Sequence, residues 1–149
     1  MVDIDIIMSE QVSDTLPVDT ERLRIYAADI LSRNGIESGE VNIIFIDDKF
    51  MAELNRTYKG REGTTDVLSF DLSNEFTEGL VGEIYISQFR ARTQSAELSV
   101  PFEEELVRLA IHGLLHLSGQ VHDTDAQYEE MTHRTDELVK EFFLLRGAE

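Results

Sequence analysis

At 149 residues and 42% apolar content, the chain has the length and composition of one globular domain with a sizeable core. No run of about 18 apolar residues is present to cross a membrane, and the opening Met-Val-Asp-Ile-Asp-Ile-Ile carries acids where an export signal carries bases, so a cytoplasmic protein is expected. Cysteine is absent, which excludes disulfides and thiolate metal ligands, and a net charge of −17 argues against broad, non-specific nucleic-acid binding.

Residues 2–8 alternate apolar and acidic before turning apolar, and read as a strand. Asp19 or Thr20 then caps a helix with Leu23, Ile25, Tyr26, Ile30 and Leu31 among its apolar positions, ending at Asn34-Gly35. Residues 40–46 form a second strand, after which Asp47 caps a short helix with Phe50, Met51 and Leu54 inward, ending near Gly60. Residues 65–72 and 80–87 are the third and fourth strands, joined by an exposed loop over 73–79. The strands on either side of the short helix suit a parallel crossover, and the 73–79 loop suits a hairpin return. Ser87 caps a helix reaching about Glu97, Pro101 opens another that runs to Ser118, and Thr124 with Gln127 makes a capping box for a last helix to about Arg146. The expected architecture is α/β: one compact domain over residues 1–149, with a small mixed sheet of about four strands covered by about five helices.

Three of the four histidines fall in the stretch His112-Gly-Leu-Leu-His116-Leu-Ser-Gly119-Gln-Val-His122. His112 and His116 are four apart on one helical face, about 5–6 Å apart at Cβ, so both imidazoles can converge on one ion. Gly119 sits where the helix stops, and the turn it makes can swing His122 back to the same ion. Three histidines leave a fourth position open for water, as in a catalytic zinc centre, whereas a lone histidine of an apolar helix is usually an ordinary core residue. A glycine at 113, inside the helix, suggests that another backbone comes close there. The spacing also resembles the metzincin protease pattern H-E-x-x-H-x-x-G-x-x-H, but Gly113 replaces the glutamate that acts as general base in those enzymes. Met131, in a helical acidic context, reads as core, and His133 as a surface or boundary residue. The acidic surface fits a basic protein partner or simple solvation, and a polyanionic substrate would have to meet a local cationic patch. One tight cluster exists: Arg56, Lys59 and Arg61.

Two further stretches join the histidines in a resemblance. The 112–122 run is similar to the HGxLHLxGYDH signature of the YbeY family of bacterial endoribonucleases. Leu54-Asn55-Arg56-Thr57-Tyr58-Lys59-Gly60-Arg61 with Thr65-Asp66-Val67-Leu68-Ser69-Phe70 resembles that family's LNxxYRGKDxPTDVLSF, and Gly82-Glu83-Ile84-Tyr85-Ile86 its GDIxI strand. The resemblance implies a metal-dependent, single-strand-specific endoribonuclease of ribosomal RNA maturation and ribosome quality control. It also implies zinc on His112, His116 and His122, a four-stranded mixed sheet, and a partner on the small ribosomal subunit, such as a basic ribosomal protein. Lys59 stands where the family has arginine, and Arg61 where it has a later lysine, two cations that differ in how they hold phosphate. Gln120 and Val121 replace a tyrosine and an aspartate, and Thr64 a proline. Val121 cannot orient a ligand as an aspartate would, which leaves Asp123 as its substitute.

On these residues Lys59 would be the catalytic cation that stabilises developing charge, with Arg56 and Arg61 binding substrate phosphate. No general base is obvious. Glu105 and Arg108 share the helical stripe of His112 and read either as groups behind the ligands or as a surface ion pair, while Asp66 and Ser69 read as residues that fix the strand. Two other readings stay open: a metal-dependent peptide or amide hydrolase, and a non-catalytic ribosome-assembly factor with a structural metal.

Overall fold

The computed structural model of this chain describes residues 1–10, 12 and 16–147. Four strands, β1 (Asp3–Met8), β2 (Gly39–Ile46), β3 (Val67–Asp71) and β4 (Leu80–Ser87), form one sheet in the order β1-β2-β4-β3. Five helices accompany it: α1 (Thr20–Arg33), α2 (Asp48–Lys59), α3 (Gln88–Leu98), α4 (Phe102–Leu117) and α5 (Asp125–Gly147). Among the described residues no helix is long and apolar enough to cross a membrane.

The period-two pattern of the strands sorts their side chains onto two faces. Val41, Ile43 and Phe45 of β2 and Ile84 and Ile86 of β4 point into the main core, with Ala27, Ile30 and Leu31 of α1 and Leu106, Ala110, Ile111 and Leu114 of α4. Helix α5 closes that side, its Phe142 ring 5.5 Å from the ring of Tyr26. The other face carries a smaller cluster in which Met51 and Leu54 of α2 meet Ile44, Ile46, Leu68, Phe70 and Tyr85. Away from α2, Asp3, Asp5, Ile7 and Glu40 are exposed on that face.

The strand pairing corrects the expected crossover. Strands β2 and β3, which flank α2, are neither neighbours nor parallel: β4 lies between them, parallel to β2 and antiparallel to β3. Strand lengths give the physical reason. β4 and β2 each have 8 residues and pair along their whole length from Gly39↔Leu80 to Ile46↔Ser87, whereas β3 has 5. The short strand belongs at the edge, and the hairpin over 73–79 delivers the long one to the centre.

Helix starts follow the local chemistry. Asp19 accepts from the Arg22 N–H at 3.1 Å and Asp47 from the Phe50 N–H at 2.8 Å. Ser87 accepts from the Arg90 N–H at 3.2 Å, and Thr124 and Gln127 exchange both bonds of a capping box at 3.1 Å. Pro101 immediately precedes α4 rather than lying in its first turn.

Gly113 explains how α4 seats. It is buried, and a Cβ there would meet Ile84 Cγ2 at 2.6 Å and Ser69 Oγ at 2.9 Å. The close neighbours are therefore side chains of β4 and β3, not the backbone expected from the sequence. Gly113→Ala is expected to destabilise the fold. The crowding atom belongs to a β-branched, fully buried residue, and overpacking of about 1–3 kcal/mol exceeds the roughly 1 kcal/mol that alanine adds in helix propensity. Denaturant unfolding checks this, and an unchanged or raised midpoint would show that the sheet yields without cost.

A three-histidine centre beside a cationic helix end

Helix α4 is apolar along most of its length, and its first turn carries Glu103, Glu104 and Glu105, which suit the positive end of a helix. His112 and His116 emerge half-buried from one side, with their Nε2 atoms 3.1 Å apart. The helix then stops through two bonds, Gly119 N–H to His116 O and Gln120 N–H to Leu115 O, each 3.0 Å. That is the Schellman arrangement, and Gly119 takes the positive φ of +96° that it needs. The turned chain brings back His122, whose ring centroid lies 4.8 Å from that of His116 and 5.9 Å from that of His112. One ligating atom from each of the three lies within 4.8 Å of the others, so the cluster could hold a metal ion. Tetrahedral zinc places its nitrogen ligands roughly 3.4 Å apart, close to the separation of the His112–His116 pair.

Protonation favours the same use. Burial holds His112 below its ordinary pKa; the Asp66 carboxylate pulls it back up, and His122 lowers it further. Burial, then the charges of His112, His122 and Lys59, push His116 down to about 4. His116 is therefore neutral near pH 7, and its ring nitrogen offers a lone pair rather than a proton to a cation.

The histidines line an open cleft of about 750 Å³ together with Lys59 and Arg61. Lys59 is the last residue of α2, and its Nζ sits 5.4 Å from the Phe70 ring centroid. Arg61 follows the cap residue Gly60 on a loop tied down at several points. Asn55, buried in α2, donates from Nδ2 to Gly63 O at 3.2 Å. Thr64 donates from Oγ1 to Asp48 at 2.6 Å, and the same carboxylate oxygen accepts from Ser87 Oγ at 3.0 Å. Arg56 is exposed on α2 and is not among the residues lining the cleft.

Asp66 also lines the cleft. One of its oxygens accepts from the Val67 N–H at 2.8 Å and the other from Gln94 Nε2 at 3.1 Å, which fixes the start of β3. Ser69 Oγ reaches Gly113 O at 3.4 Å and ties β3 to α4. Asp123 is exposed; its charge acts on His116, but it makes no hydrogen bond to a histidine ring among the described residues. Glu105 and Arg108 do not form the surface ion pair offered as one reading. Glu105 is 2% exposed, with Oε2 unpartnered and its pKa raised by burial, while Arg108 pairs with Asp136 of α5. His133 is exposed and pairs with Glu137 at 2.8 Å, and Met131 is buried, both as the sequence suggests.

Sequence reasoning singled out neither Asn55 nor Tyr128. For the first the signal was an asparagine in the helix directly beside the basic cluster, between Leu54 and Arg56. The second, a lining residue in an acidic helix, left none.

Comparison with known proteins follows the same lines. The family model described as Endoribonuclease YbeY matches residues 8–143. A Flavobacterium psychrophilum protein named Endoribonuclease YbeY is 41% identical over 83% of this chain and 86% of its own length. One of the same name from Desulfitobacterium hafniense is 40% identical over 74% of this chain and 76% of its own. A solution structure from Thermotoga maritima superposes with a TM-score of 0.66 at 30% identity, covering 97% of this chain and 92% of that one. With the histidine run, the Lys59 block and the sheet order all in place, the chain belongs to the Endoribonuclease YbeY family of hydrolases.

Proposed function

We propose that this chain is a zinc-dependent endoribonuclease specific for single strands, acting in the cytoplasm on ribosomal RNA during its maturation and in ribosome quality control. Residues 1–149 serve as one catalytic domain. The observation that carries the reading is that three clustered imidazoles line one open cleft together with Lys59 and Arg61. His112, His116 and His122 would hold zinc, which suits an all-imidazole donor set. Bound there, zinc supplies Lewis-acid activation of water or of a phosphoryl oxygen.

The chain's own residues do the rest. Lys59 directs its ammonium at the phosphate and stabilises the charge that develops on the oxygens. Arg61, on its tied loop, grips a phosphate as a fork, and Arg56, one turn before Lys59, extends the cationic edge along the strand. The sheet face that carries α2 supports the partner proposal: its exposed Asp3, Asp5 and Glu40, with half-exposed Glu83, offer a basic ribosomal protein of the small subunit a surface of opposite charge.

Two observations weigh against the competing readings. Gly113 is pressed against Ile84 and Ser69, so its position has no room for the carboxylate a metzincin-like amide hydrolase carries there. A purely structural metal would be closed in by four protein ligands, whereas this triad faces a cleft.

Chelation should abolish cleavage of labelled single-stranded RNA, and zinc should restore it. His116→Ala should lose zinc by elemental analysis together with activity, and a variant that keeps full zinc occupancy would displace His116 from the ligand set. Lys59→Ala should lower kcat by about a hundredfold while leaving zinc content and unfolding midpoint unchanged. Cleavage by that variant at the wild-type rate would remove Lys59 from the chemistry.

A further inference from the structure

Phosphate contacts from the cations of the cleft do not by themselves separate single from double strands, which share the phosphate. Selection of single strands needs a group that engages an unstacked base, and exposed aromatic rings do this. Among the described residues lining the cleft, Tyr128 is the one large aromatic besides the imidazoles. It is 59% exposed, and its hydroxyl makes no hydrogen bond among the described residues, so neither burial nor polar bonding accounts for its position. It is nonetheless held: its N–H bonds Thr124 O at 2.9 Å in the capped first turn of α5, and its ring stands at 85° to that of His122, with centroids 6.2 Å apart.

Tyr128 also lines an adjoining hollow of about 260 Å³, together with Glu129, Thr132, His133 and Asp136. No lysine or arginine lines that hollow, and of its two carboxylates Asp136 pairs with Arg108 through one oxygen while Glu129 is exposed. Glu129, the second oxygen of Asp136 and the Thr132 hydroxyl offer acceptors to the amino or imino groups of a base edge. We propose that Tyr128 is a nucleobase-stacking residue: the base next to the phosphate held by Lys59 and Arg61 leaves the strand and stacks on the Tyr128 ring, in the hollow beside the histidine centre. This rests on the endoribonuclease reading and adds to it the residue that recognises the unpaired strand.

The chain has no tryptophan, so Tyr128→Trp places a single indole reporter at the site. Zinc-loaded Tyr128→Trp protein is titrated with a short 2′-O-methyl single-stranded oligonucleotide, and with the same oligomer made abasic at each position in turn. Stacking should quench the indole emission by about half or more, and one abasic position should abolish the quenching. Wild type, Tyr128→Phe and Tyr128→Ala are compared for oligomer affinity and zinc content. Tyr128→Phe should bind within about twofold of wild type and Tyr128→Ala about tenfold or more weakly, all three retaining zinc. Emission unchanged at saturation, equal quenching by every abasic oligomer, or wild-type affinity in Tyr128→Ala would each overturn the proposal. Loss of zinc from Tyr128→Ala would do so too, since the ring would then act by propping His122. In those cases wild type still binds and cleaves RNA, and the endoribonuclease reading stands. A wild-type protein that, loaded with zinc, neither binds nor cleaves single strands would remove both.

Discussion

The approach of α4 to the sheet at Gly113 sets the height of everything in the site. Without a side chain there, the helix settles onto Ile84 of the central strand and Ser69 of the edge strand, and Ser69 bonds the Gly113 carbonyl. His112 and His116 flank that contact on the same helix, and they line a cleft together with Val67, Leu68, Ser69 and Asp71 of the edge strand β3. A centre placed over the middle would have been sealed in the core. Placed at the edge, it is buried enough to keep His116 neutral and open enough to admit a polymer.

The same edge position reconciles a strongly acidic protein with a polyanionic substrate. Lys59 and Arg61 line the cleft, but so do Glu62, Asp66 and Asp71, so its own side chains do not make it a basic groove. Asp66 is already committed to the Val67 amide and Gln94. Net attraction for phosphate therefore has to come from a few directed groups over a short reach, since the long-range field has the wrong sign. Such a site favours local engagement of a few nucleotides over wide, sequence-independent coating. That agrees with what the net charge of −17 argues against.

What the sequence made legible was what is local. Caps at Asp19, Asp47, Ser87 and Thr124 act over three residues, and each helix begins where its cap predicts. The histidine spacing and Gly119 lie within one turn and its exit, so their convergence could be read without knowing the fold. Strand order could not be read this way. Nothing in residues 65–72 says that a longer strand arriving later will take the place beside β2, because pairing depends on matching lengths across the sheet. Glu105 was ambiguous for a related reason. Sharing a stripe with His112 does not tell which part of that stripe lies under α3 and α5, and Glu105 proved to be inside.

The departures from the family pattern near Lys59 become coherent once the loop after α2 is considered as a carrier. A guanidinium fork holds phosphate by two directed bonds and so needs a backbone that does not wander, whereas an ammonium is a point charge that tolerates looser placement. Arg61 stands on a loop rather than a helix, but that loop is pinned. Its own N–H bonds Asn55 O at 3.3 Å, Asn55 holds Gly63, and Thr64 joins Asp48 and through it Ser87 at the end of β4. A proline at 64 would stiffen the loop through its ring but could donate nothing to Asp48. Threonine supplies the tie instead. Arg61, which carries the guanidinium fork, thus stands on the segment that these hydrogen bonds hold in place.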